Sequence, residues 1–201
     1  MMITDSNVIR TLLKIENEDY DLFHSYCILL DKGLRKPALL ELDRFLKRAQ
    51  KWKYGTRVHF CTYFFSDSQK SNDLDALLTS NLVDQLIEPT LIEMIKQEPF
   101  NYLPYKWYGI YLKNKQFLYE AYKINENDNL LNLSLLNLID ESLWYSTHHL
   151  PHGYLGNFAD DEKDIITALL MIENLNLKDS EVRKEKILDY KKEIEDYKNS
   201  I

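Results

Sequence analysis

The chain has 201 residues, 45% of them hydrophobic and 28% charged, which gives it enough apolar surface for one domain with a substantial core and sets it apart from disordered segments. Only 5 Gly and 5 Pro are present, fewer turn residues than an all-β chain with many tight turns requires. A formal net charge of -7 weakens nucleic acid as a partner, since phosphate binding depends on clustered Lys and Arg, and it suits solubility or a basic partner surface.

Taken in order, Asp5 or Ser6 offers an N-cap to a first helix bearing Val8, Ile9, Leu12, Leu13 and Ile15. Beyond the acidic segment Glu16-Asn17-Glu18-Asp19, which divides it, the apolar pattern resumes through Tyr20, Phe23, Tyr26, Cys27 and Leu30, and Asp31-Lys32-Gly33 reads as a stop. The first seven residues carry neither a basic region nor a following apolar run, so no signal peptide is expected and the cytoplasm is the expected compartment. A second helix is predicted from about Pro37, with Leu39, Leu40, Leu42, Phe45, Leu46 and Ala49 at helical spacing, ending near Tyr54-Gly55. The stretch from Val58 to Phe65 is rich enough in β-branched and aromatic residues to pass for a strand. No second convincing strand exists for it to pair with, and Phe60, Tyr63 and Phe64 share one helix face, so it is read as helix.

Ser66 to Asp73 is a polar loop. Leu74 to Ile95 then forms two short helices or one bent near Pro89. After a connector, Pro104 opens a short helix through Leu112, and Asn114-Lys115-Gln116 turns into another from Phe117 to Ile124. The longest apolar segment, about residues 129–149, follows. Wound as a helix it places Leu131, Leu135, Leu138 and Ile139 on one side and Leu133, Leu136, Leu143 and Trp144 largely on the other, which requires neighbours all around it. Interruption by Asn, Ser, Asp and Glu excludes a membrane span. Past a loop over 150–157, Asp160-Asp161-Glu162 places negative charge at the start of the next helix, where the helix dipole favours it. In the last helix, from about Asp179, Ile187, Tyr190, Ile194, Tyr197 and Ile201 alternate by three and four. With fewer than three heptads, docking of one edge on the core is preferred over a homodimer seam. The fold expected is therefore all-α: a single domain over 1–201, built as a compact bundle of stacked antiparallel helix hairpins around a buried central helix.

Pro104-Tyr105-Lys106-Trp107-Tyr108-Gly109-Ile110-Tyr111, followed by Leu118-Tyr119-Glu120-Ala121-Tyr122-Lys123-Ile124-Asn125-Glu126-Asn127-Asp128, resembles a tetratricopeptide unit, with Trp107, Gly109, Ala121, Ile124 and Asn127 in the positions of the family's aromatic, small and turn residues. Glu126 stands at the family's proline position, and no periodic copies follow. The resemblance implies stacked helix hairpins with a binding groove.

No motif is specific enough to name a reaction: there is no glycine-rich phosphate loop, nucleophile elbow or dinucleotide fingerprint. Thr147-His148-His149-Leu150-Pro151-His152-Gly153 holds three of the 5 histidines. Neighbouring histidines on a helix point a quarter-turn apart, no carboxylate has the spacing of the helical zinc motif, and histidine is favoured at a helix C-terminus, so His148, His149 and His152 are read as a helix stop before a metal site. Asp140-Glu141 could face His148 as an acid–base pair, or be solvated or salt-bridged. The acidic run Asp160 to Asp164 lacks the glycine and spacing of a calcium loop and fits capping. Cys27 and Cys61 read as small buried residues in a reducing compartment. Tyrosine crowds residues 102–111 beyond what one helix face can bury. Tyr105, Tyr108 and Tyr111 are accordingly the candidate interaction residues, because Tyr supplies contact area with a polar tip.

The function expected is a non-enzymatic protein–protein interaction domain with no cofactor and no metal, whose partner is another protein rather than nucleic acid or membrane. Small acidic helical proteins of this look are similar to bacterial accessory or toxin-neutralising (immunity-like) proteins, an analogy of class. The alternative is a histidine- or metal-dependent enzyme using His148, His149 and His152.

Overall fold

A computed structural model describes residues 18–66, 77–175 and 178–200. The expected helix start at Asp5 or Ser6 and most of the polar loop from Ser66 to Asp73 lie outside the described residues, as does Ile201. Among the described residues every regular element is helical and there is no strand, so the protein is all-α. By compactness the chain divides into two units, residues 1–111 and 112–201.

In the first unit a single 3-10 turn, Glu18–Tyr20, leads into α1, Asp21–Asp31. The helix ends where the sequence signals it. The Gly33 N–H bonds the Leu30 carbonyl at 2.9 Å and the Leu34 N–H reaches back to the Leu29 carbonyl at 2.9 Å. These two bonds form a Schellman closure around Gly33, whose φ of 73° is open to glycine without a Cβ penalty. Helix α2, Arg35–Ala49, takes Pro37 into its first turn, where the missing N–H has no intrahelical partner to lose. It packs along α1 and stops at Ala49, so Tyr54-Gly55 opens the next helix instead of closing this one. That next helix is α3, Tyr54–Ser66, and it contains the stretch with strand-like composition.

Helix wins there because of what the period buries. Phe60, Cys61, Phe64 and Phe65 recur at i, i+1, i+4 and i+5 and are all at most 1% exposed. Phe60 is the hub of an aromatic cluster, with ring centroids 5.2 Å from both Phe23 and Phe45, 5.3 Å from Tyr20, 5.8 Å from Phe64 and 5.9 Å from Trp52. A strand would have sent alternate rings to opposite faces. Cys27 and Cys61 lie in the same core, where burial pushes the Cys61 thiol up to about 12 and raises that of Cys27 further.

The bend expected near Pro89 is a turn of π-helix. Ser80–Leu82 runs into the π-turn Val83–Ile87 and then into α4, Glu88–Gln97. The Glu88 N–H reaches five residues back to the Val83 carbonyl. Pro89 has no N–H to give Gln85, and the widened turn absorbs the mismatch without breaking the helix. Helix α5, Tyr102–Tyr111, packs on α4. Its Trp107 is 3% exposed and stacks on Phe65 at 5.3 Å.

The second unit holds α6, Lys115–Ile124; α7, Asn129–Thr147; α8, Phe158–Asn174; and α9, Ser180–Ser200. Side-chain oxygens cap three of them: Asn114 accepts from the Phe117 N–H at 3.3 Å, Asp128 from Leu131 at 3.0 Å, and Asn157 from Ala159 at 3.0 Å and Asp160 at 3.2 Å. Helix α7 is the centre of this unit, packed against α6, α8 and α9. Leu131, Leu135, Leu136, Ile139 and Leu143 are at most 1% exposed. Leu133 and Leu138 are half-buried, and Trp144, expected on an apolar flank, is 55% exposed. The reason is angular: seven residues advance a helix by two turns less about 20°, so Trp144 shares the direction of solvent-facing Asn137, and Glu141 and His148 continue the same exposed stripe. On α9, Ile187, Tyr190 and Ile194 are buried within the unit, which is the edge docking preferred from the sequence. Of the tetratricopeptide-like positions, Trp107 and Gly109 are buried in α5 and Ala121 in α6, whereas Ile124 and Asn127 are exposed.

Phe60→Ala should lower stability by about 3–5 kcal/mol, the range for emptying a fully buried aromatic site. Leu40, 65% exposed on α2, is the control: Leu40→Ala should stay within about 0.5 kcal/mol. Urea denaturation of the two variants checks both expectations, and a Phe60→Ala protein as stable as the parent would contradict the aromatic hub.

Candidate functional site

The sequence-predicted residues fall at two places. Tyr105, Tyr108 and Tyr111 are all half-buried on α5. The Tyr108 hydroxyl donates to the Glu88 carboxylate on α4, and this hydrogen bond, with burial, pushes the phenol up to about 12. Tyr111 stacks on Phe65 at 4.8 Å, and both Tyr108 and Tyr111 pack against the core of their unit.

His148, His149 and His152 are all exposed, at and beyond the C-terminal end of α7. His148 is the C-cap residue; its Nδ1–H donates to the Tyr145 carbonyl at 2.8 Å and its ring stacks on Trp144 at 4.6 Å. His149 lies against His148 at 4.0 Å between ring centroids. Among the described residues no group of three or more His, Cys, Asp or Glu side chains is placed to hold a metal ion. Asp140 does not face His148: its Oδ2 accepts from Lys186 Nζ on α9 at 2.7 Å, and that ion pair raises the lysine's pKa.

Around this helix end lies an open groove of about 640 Å³. Trp144, His148, Leu150 and Pro151 form one wall, and Glu193, Asp196 and Tyr197 of α9 the other. Trp144 at 55% and Tyr145 at 57% are the most exposed aromatics of the second unit. Sequence reading missed Trp144 and Tyr145 as surface residues, although their register with Asn137 and Glu141 carries the signal. Glu193 and Asp196 were hidden in a helix dense in Lys and Glu.

The groove's shape depends on two buried carboxylates. Asp161 and Asp164 are 3% and 2% exposed. The expected capping role belongs to Asn157 instead, because Asp161 and Asp164 lie on the same stripe of α8 as buried Ile165, Ala168 and Ile172. Asp164 accepts from the Tyr119 hydroxyl at 2.6 Å and from Lys115 Nζ, which also donates to Ser142 Oγ at 2.8 Å. Asp161 accepts from the Tyr154 hydroxyl. Between them, these two residues of one helix hold α6 and the 148–157 loop, and Lys115 extends the link to Ser142 of α7. The loop closes down at Gly156, where an added Cβ would come within 2.3 Å of both Asp161 Oδ2 and Ser146 Oγ. The Leu155 N–H donates to the Ser146 carbonyl at 3.2 Å. Tyr154 also stacks on Phe158 at 4.4 Å and lies 6.0 Å from Tyr197, a wall residue of the groove. Burial, reinforced by the carboxylate each donates to, raises the Tyr119 and Tyr154 phenols well above the ordinary value.

No family model matches the chain, and neither a curated protein nor a solved structure matches it. Among the described residues no helix is long and apolar enough to cross a membrane.

Gly156→Ala should destabilise the second unit by about 1–3 kcal/mol, the usual penalty of overpacking a filled site. A melt as stable as the parent's would show that the loop does not sit on Asp161 and Ser146. The phenols give a pH signature. Their ordinary value is 10.0, and a folded state that holds them neutral keeps its full contribution below that pH and loses it as pH climbs toward the raised folded values. The melting temperature should therefore fall above pH about 10, and a Tyr119→Phe/Tyr154→Phe double variant should lose less over the same window. An equal loss in both proteins would contradict the assignment.

Proposed function

We propose that this chain is a non-enzymatic protein–protein interaction domain of the cytoplasm, and that it meets its partner at the aromatic end of α7 and the groove beside it. The observation that carries the reading is Trp144, 55% exposed in the groove wall, with its chain neighbour Tyr145 57% exposed at the same helix end. An indole and a phenol left exposed on a helix whose other apolar residues are buried or half-buried have the composition of an interface anchor: large, rigid contact area with a polar tip. The net charge of -7 suits a basic partner, as in the accessory and toxin-neutralising class of small acidic helical proteins. The tyrosines of α5, Tyr105 above all, are the second candidate face, the one a tetratricopeptide-like hairpin would present. The alternative of a histidine enzyme has less in its favour, since the Nδ1 of His148 is engaged by a backbone carbonyl and Asp140 by a lysine.

Affinity capture from the native cell tests this. Trp144→Ala/Tyr145→Ala should weaken partner binding by about 2 kcal/mol or more, roughly thirtyfold in Kd, while stability changes by no more than about 0.5 kcal/mol per exposed site. Capture unchanged by that pair but lost with Tyr105→Ala would move the interface to α5. The absence of any stoichiometric protein partner would overturn the reading.

A further inference from the structure

Resting on that reading, we infer that the groove between the end of α7 and α9 takes an arginine-bearing segment of the partner protein. The chain has 25 Lys and Arg, yet none of them lines this groove, whose acidic side chains are Glu193 and Asp196. Three lysines of the same helix have other partners: Lys186 pairs with Asp140 at 2.7 Å, Lys191 reaches Glu195 at 3.8 Å, and Lys198 lies 5.6 Å from the Phe158 ring centroid. Glu193 and Asp196 are exposed and have no hydrogen bond or ion pair among the described residues. Opposite them stands the Trp144 indole, one face covered by His148 and the side chain otherwise open.

Two unpaired carboxylates facing an open indole suit a flat cation. A guanidinium can stack on the ring while its N–H fork reaches a carboxylate, and its weaker hydration lets it leave water more readily than an ammonium does. Lysine satisfies the charge but neither the fork nor the stacking geometry. Leu150, Pro151 and Tyr197 supply apolar surface for the residues beside the arginine. At about 640 Å³ the groove lies within the size usual for binding clefts, roughly 300–1,000 Å³, and has room for more than one side chain.

The full-length chain should be titrated with a capped hexapeptide alternating arginine and leucine, and with its lysine–leucine and glutamate–leucine counterparts, by calorimetry at two salt concentrations. The arginine peptide should bind tightest. Glu193→Gln/Asp196→Asn should weaken it at least tenfold and flatten its salt dependence, without moving the melting temperature. Glu181→Gln/Glu185→Gln, which removes the same charge from the other end of α9, should leave it unchanged. Equal binding by the lysine or glutamate peptide, or equal weakening by the two variant pairs, overturns the inference, as does an arginine peptide that does not bind at all. In that last case, a captured protein that is lost with Trp144→Ala/Tyr145→Ala but kept with Glu193→Gln/Asp196→Asn leaves the interaction reading standing while this one falls.

Discussion

Two carboxylates taken out of water hold the second unit together. Asp161 and Asp164 occupy positions on α8 that an aliphatic residue would fill more simply, and desolvating them costs several kcal/mol per ion in a protein interior before any partner is found. The partners are Tyr119 and Lys115 from α6, and Tyr154 from the loop that follows α7. Tyr119 and Lys115 fix α6 and Tyr154 fixes the loop, so two segments that share no backbone hydrogen-bond ladder with α8 are tied to it. Apolar packing alone would hold α6, α7 and α8 together but would leave the loop free to choose among poses. Directional bonds to a buried charge allow only one, because any other pose strands the carboxylate. Gly156 is part of the same constraint, since the loop reaches its seat only where no Cβ intervenes.

The first unit solves its packing differently. Its core is centred on aromatic rings, with Phe60 touching rings from the 3-10 turn, α1, α2 and the Trp52 connector, and Thr90 and Lys106 are buried in the same unit. Tilted and edge-on ring pairs, such as Phe23 on Phe60 at 90°, fill irregular space well and carry a modest preference of their own. Here helix geometry is imposed by tertiary burial over a local composition that leans toward strand, the usual outcome when the two disagree.

Most of the fold was legible in the sequence because its signals are local and redundant. Asp31-Lys32-Gly33 announced a Schellman stop, Asn114 and Asp128 sit at the starts of their helices, and the spacing of Phe60 and Phe64 outweighed their β propensity. Less legible were features that depend on direction around a helix. Trp144 was grouped with the apolar residues by type, although its register with Asn137 places it in water. Asp161 and Asp164 read as part of one capping run with Asp160 and Glu162, although their register with Ile165 and Ala168 places them inside. The groove was out of reach of sequence reading altogether, since its two walls are about fifty residues apart and only packing brings them together.

This arrangement explains how a chain without a catalytic motif can have a defined surface chemistry. The buried carboxylates set the loop, the loop and the α7 terminus present Trp144 and Tyr145, and α9 contributes the acidic wall. Hydrogen exchange on the chain, alone and in complex with its captured partner, tests the central claim most directly. Amide protection gained on binding should concentrate in residues 144–151 and 190–200. Protection confined to residues 102–111, or spread evenly with neither segment slowed, would contradict it.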